Sequence, residues 1–181
     1  EDVTPTTKCD LLREVIVNVG LDCNMVNANS QSPLHILCRN QSFDSKSTLL
    51  TLEELLRLGA SPFVRDGKGR TSLHVLCKNP SRSLEAVNML LKTEDLVDIR
   101  DEYGRTALHM LCKRFSNFRL DIMKLLISSS KDEICNMKNF EGNTILHLLS
   151  DPEQEYIGSG DLLYAIETLI SMGADTEIKN N

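Results

Sequence analysis

Three His-x-x-Cys pairs, His35/Cys38, His74/Cys77 and His109/Cys112, are the residues of this chain best suited to chemistry. On a helix, positions three apart share a face, so each pair would set an imidazole beside a thiol. Those are two of the ligand types that hold zinc in tetrahedral sites. The same pair could act as thiol nucleophile and base if an oxyanion site stood next to it. A fourth histidine, His147, has Ser150 where the others have cysteine.

Each histidine lies inside a longer recurring phrase. Asp101-Glu-Tyr-Gly-Arg-Thr-Ala-Leu-His-Met-Leu-Cys112 is nearly repeated by Asp66-Gly-Lys-Gly-Arg-Thr-Ser-Leu-His-Val-Leu-Cys77. Asn27 to Cys38 and Asn139 to Ser150 are looser copies, and the histidines follow one another at steps of 39, 35 and 38 residues. A fixed phrase at such a period marks a solenoid. The recurrence also argues against the chemistry. Stacked repeats would hold the pairs roughly 10 Å apart, the spacing of packed helices, too far for one tetrahedral ion. A catalytic site is normally single, whereas these residues recur as structural copies, and neither a phosphate-binding loop nor a Gly-x-Ser-x-Gly elbow is present. The sequence therefore assigns no catalytic, cofactor or metal residues, and the chain reads as no enzyme.

Apolar spacing supplies the helices. Leu11, Leu12, Val15, Ile16 and Val19 line one face of a predicted helix over Lys8 to Val19, which Gly20 ends. Outer helices are predicted over about Thr48 to Leu58, Leu84 to Leu91, Leu120 to Ile127 and Leu162 to Ile170. Ser32, Thr71, Thr106 and Thr144 stand where they can cap the starts of inner helices, and Pro33 fits a first turn.

The phrase resembles the ankyrin repeat, with its D-x-x-G-x-T-P-L-H-x-A-A run, second helix and G-A-D-V-N-A turn. Gly20-Leu-Asp-Cys-Asn24, Gly59-Ala60 and Gly173-Ala-Asp175 fall at the matching places, and the likeness covers about residues 8 to 181. It implies an all-α, right-stacked solenoid of helix pairs with β-hairpin-like finger turns. The implied units are a polar tail at 1–7, a partial repeat at 8–26 and repeats at 27–65, 66–100 and 101–138. A fourth at 139–181 includes the start of a further one. Lys92-Thr-Glu-Asp95 and Ser128-Ser-Ser-Lys131 depart from the usual Gly-Ala turn. The links between paired helices are long, at 41–47, 114–118 and 151–160. With Leu-His-x-Leu-Cys in place of Leu-His-x-Ala-Ala, this style has a weak likeness to poxviral ankyrin proteins.

Of six cysteines, Cys38, Cys77 and Cys112 match a position that holds a small core residue in the family. That implies reduced, buried thiols, which behave as small hydrophobes, and an intracellular setting, cytoplasmic or nuclear. Asparagine at the end of the G-A-D-V-N element is sometimes hydroxylated in the family; Asn24 and Asn136 match it, Phe63 and Asp98 do not. A net charge of −6 argues against general nucleic-acid binding. No run approaches the ~20 apolar residues of a membrane span, and the first residues lack a basic-then-apolar signal pattern.

In the family, partners meet the concave face built from finger tips and inner-helix ends. Carried over to this chain, that face comprises Lys68, Arg70, Lys78, Glu102, Tyr103, Arg105, Lys113, Arg114, Phe140 and Glu141. The expected ligand is a protein with an acidic surface opposite the basic row and an apolar one opposite Tyr103 and Phe140, with no small-molecule substrate, cofactor or membrane. Exposed aromatics beside arginine are typical of interface hot spots. The bland account of the row is that Arg39, Lys78, Lys113 and Arg114 merely oppose helix dipoles, at ~0.3–1 kcal/mol each. Replacing Tyr103, Arg105 and Lys113 by Ala is expected to weaken binding with little change in Tm. A structural spacer or oligomerisation module is the alternative, and a nucleic-acid reader using the basic row comes behind it.

Overall fold

The computed structural model describes residues 20–39, 46–79, 83–93, 95–112, 120–130, 133–151 and 159–181. The helix predicted over Lys8 to Val19, most of the three links, and Lys113 and Arg114 lie outside the described residues.

Among the described residues, eight α-helices form two rows. The inner row is α1 (Pro33–Cys38), α3 (Ser72–Lys78), α5 (Ala107–Cys112) and α7 (Ile145–Leu149). The outer row is α2 (Lys46–Arg57), α4 (Leu84–Leu91), α6 (Leu120–Ser129) and α8 (Ser159–Ser171). Each inner helix packs on the next inner helix and on its own outer partner, and α2, α4 and α6 pack in series. No strand is present among the described residues; the fingers are closed turns.

The rows differ because their sequences differ. Every residue of α5 is buried, and so is every residue of α3 from Ser72 to Cys77. A helix apolar all round can be satisfied only between neighbours on both sides. Leu73, Leu76, Leu108 and Leu111 are fully buried there, each stabilising by about 1.5–3 kcal/mol. The outer helices are one-sided: α4 buries Ala86, Val87 and Leu90, and α6 buries Ile122, Met123 and Leu126. The core is therefore a continuous slab between the rows.

The outer helices α2, α6 and α8 run slightly longer than their apolar stripes suggested, with α8 reaching from Ser159 to Ser171, while α4 keeps the predicted bounds. Where the second repeat lacks the usual glycine turn, Asp95 takes the left-handed conformation, φ 62°. Aspartate tolerates that region because its short side chain can bond locally. In the third repeat a 3-10 turn, Ile134–Asn136, leads into the next finger.

Candidate functional site

The fingers are built from five residues each: 27–31, 66–70, 101–105 and 139–143. In the second, the Asp66 N–H donates to the Arg70 carbonyl at 2.9 Å, closing the loop. Asp66 Oδ1 accepts from the Lys68 and Arg70 N–H groups at 2.9 and 3.0 Å. Its Oδ2 accepts from Arg70 Nε and Nη2 at 2.9 and 2.6 Å. The third finger repeats this: Asp101 Oδ1 takes the Tyr103 and Arg105 N–H groups, and Oδ2 takes Arg105 Nε and Nη2 at 3.0 and 2.7 Å. Asn27 and Asn139 play the Asp part in the outer fingers through Oδ1 alone. Burial alone would raise the Asp66 and Asp101 carboxyls; the arginine and backbone donors outweigh it and hold both below the ordinary aspartate range.

Arg70 and Arg105 are therefore used inside their own fingers. Their side chains are only 15 and 16% exposed. Arg105 also stacks on the Tyr103 ring at 4.4 Å.

Neighbouring fingers are joined by a backbone ladder. Gly67 N–H donates to the Asn29 carbonyl, Glu102 N–H to Lys68, and Phe140 N–H to Tyr103, at 3.0, 3.1 and 3.0 Å. The ladder brings Tyr103 and Phe140 together. The Phe140 ring lies on Gly104, whose φ of 72° puts an added Cβ 2.6 Å from Phe140 Cδ1. Even so, Phe140 is 68% exposed and Tyr103 45%. The neighbouring Glu102 carboxylate pushes the Tyr103 phenol above its usual range. Glu141 accepts from the amides of Asn139 and Asn143 and remains exposed. Lys68 is exposed and makes no ion pair among the described residues. Beside it an open groove of about 330 Å³ runs between the first two fingers, lined by Asn29, Gln31, Asp66 and Lys68. Lys78 is half-buried at the end of α3. The next residue, Asn79, is buried and donates to the Cys38 carbonyl at 2.9 Å.

The histidines have a different task from the one their cysteine neighbours suggest. The Ser32 backbone N–H donates to His35 Nδ1 at 3.2 Å, and His35 Nε2 meets the Arg70 carbonyl at 2.9 Å. His74 links Thr71 to Arg105 in the same way, and His109 links Thr106 to Asn143. An N–H can only donate and a carbonyl only accept, so the rings are neutral with the proton on Nε2. Burial lowers His74 and His109 to about 4, although the carbonyl bond opposes it. The bond to the residue before each helix is local; the reach into the next finger carries no local signal. The Cys38 thiol is buried, and burial, with Cys77 nearby, pushes it well up, so it packs as a thiol. Burial also raises Cys135. Among the described residues no three His, Cys, Asp or Glu side chains gather as metal ligands, and no helix is long and apolar enough to cross a membrane.

Asn24 and Asn136 each clip the turn of the following repeat. Asn24 donates to the Gly59 carbonyl and accepts from Ser61 N–H at 3.2 and 2.7 Å. Asn136 does the same with Gly173 and Asp175 at 3.0 and 2.8 Å.

The family described as ankyrin repeats (3 copies) matches residues 6–101 and 45–139. Among curated proteins, the chain is similar to "Inhibitor of Apoptosis OPG037" of Variola virus (isolate Human/India/Ind3/1967), 28% identical over 155 residues. That match takes in 84% of this chain and 33% of the relative. It is also similar to the "B-cell lymphoma 3 protein homolog" of Mus musculus, 29% identical over 176 residues, covering 97% of this chain and 35% of the relative. The chain thus spans about a third of the length of these curated relatives.

Proposed function

The chain belongs to the ankyrin-repeat family, and on that footing we propose that it binds a partner protein along its finger row and inner-helix ends. The observation that carries this reading is the aromatic pair Tyr103 and Phe140, exposed yet held by the ladder and Gly104. Rigid, solvent-facing aromatics lose little entropy on binding and dominate interface energetics. Lys68, Glu102 and Glu141 supply charge around them, with Lys78 and, on the sequence pattern, Lys113 and Arg114 along the inner-helix ends. Arg70 and Arg105 act by fixing the fingers.

The module serves as the recognition arm of a larger intracellular adaptor or regulator, cytoplasmic or nuclear. Buried thiols at Cys23, Cys38, Cys77, Cys112 and Cys135 suit a reducing compartment. One relative carries the name of an apoptosis inhibitor, which suits a regulatory setting. Binding rather than catalysis fits histidines spent on backbone groups. Affinity capture from cell lysate tests the proposal, comparing the chain with a Tyr103→Ala/Phe140→Ala form. A protein held by the first and lost by the second supports it; proteins held equally by both count against it.

A second reading, self-association, is favoured by Leu163, Tyr164 and Ile170, which α8 leaves exposed. Light scattering that shows a dimer, abolished by Leu163→Glu, would favour it.

A further inference from the structure

We propose that the finger row recognises an extended, charge-polarised segment: an acidic side chain at Lys68, apolar residues over Tyr103 and Phe140, and a basic side chain at Glu141. This rests on the concave-face reading above and gives it a direction.

The inference starts from which charges the fingers have left. Asp66 and Arg70 neutralise each other, as do Asp101 and Arg105. Arg65, Arg100 and Lys138 stand one residue before their fingers, at the base, and Arg65 donates to the carbonyls of Gly69 and Arg100. The tip positions therefore read Ala28 and Asn29, then Gly67 and Lys68, then Glu102 and Tyr103, then Phe140 and Glu141. Charge runs from positive at the second finger to negative at the third and fourth. The two exposed aromatic rings lie between Lys68 and Glu141 along this line.

Geometry fixes the ligand's span. Lys68 and Glu141 occupy the same place two fingers apart, and stacked repeats lie roughly 10 Å apart, giving about 20 Å. An extended chain covers that in about six residues at ~3.3 Å each. The open groove beside Lys68 gives an acidic side chain room to lie along Asn29 and Gln31. At the other end, a Lys or Arg stem can lie on the exposed Phe140 face with its head on Glu141. A uniformly acidic ligand would meet two carboxylates, Glu102 and Glu141, over this stretch.

The probe is a phage-displayed library of random 12-residue peptides selected on the 181-residue chain. The enriched peptides are expected to hold Asp or Glu about six residues from Lys or Arg, with an apolar residue between. The Lys68→Glu/Glu141→Lys form, both sites being exposed, should keep its Tm. It should bind those peptides roughly tenfold more weakly, because two rim ion pairs become repulsions, and prefer their charge-reversed versions. Enriched peptides without that polarity, or equal binding to both forms, overturn the inference. If binding survives the charge swap but falls in Tyr103→Ser/Phe140→Ser, concave-face recognition stands and the polarity is wrong. Peptides insensitive to both forms, or no enrichment at all, count against both.

Discussion

His74 Nε2 donates to the backbone carbonyl of Arg105, 31 residues further along the chain, across 3.0 Å. The other ring nitrogen accepts the N–H of Thr71 at the start of its own helix. One buried side chain thus fastens the beginning of α3 to the end of the next finger.

His74→Ala removes both bonds, leaves a buried N–H and carbonyl without the ring, and opens a cavity. Urea unfolding is expected to show a loss of about 2–4 kcal/mol. His147→Ala is expected to cost less than half as much, since that residue is half-buried. Equal losses would contradict the fastening role.

Acid should weaken the stack in a defined window. The folded pKa of His74 and of His109 is depressed to about 4, so between that value and the unfolded ~6.5 the unfolded chain binds more protons. Stability is fully present above ~6.5 and is lost as pH falls towards 4; at pH 5 each histidine accounts for about 2 kcal/mol. Asp66 and Asp101, held low by their arginines, add a second loss at lower pH. Denaturant midpoints at pH 7.5 and pH 5 measure the first window, and an unchanged midpoint would refute it.

Arg105→Ala is expected to lower Tm by several degrees, because it leaves the buried Asp101 carboxylate without its charged partner. Lys68→Ala, at an exposed tip, is expected to leave Tm within about a degree. The triple substitution suggested by the sequence, which included Arg105, would therefore mix folding with binding. Tyr103→Ala with Phe140→Ala separates them.

Gly104→Ala is expected to destabilise by about 1–2 kcal/mol from its left-handed backbone, with more from the Phe140 ring in the way. Adding Phe140→Ser should recover the steric part and leave the backbone part. Calorimetry of the two forms tests this, and no recovery would place Phe140 off the glycine.

Much of the architecture was legible in the residues. The recurring phrase located the inner helices, and the apolar stripe over Leu84 to Leu91 matches α4 end to end. What stayed hidden depends on neighbours brought together by stacking. Arg70 and Arg105 look like binding groups in a one-dimensional reading because the aspartate four residues earlier faces them only after the finger closes. His35, His74 and His109 find half their bonding in a repeat about 35 residues away. The contact of the Phe140 ring with Gly104 forms only when the ladder brings the two fingers together. Asp95 carries no glycine signal, yet adopts a left-handed backbone conformation.

Every hydrogen bond between successive repeats described above is made by a finger, an inner helix or the asparagine clip beside the finger. Intervals of 39, 35 and 38 residues between histidines therefore yield the same ladder bond, 3.0 to 3.1 Å each time. Chain length and spatial pitch are uncoupled. The interval between successive histidines can therefore change without shifting the register of the finger row.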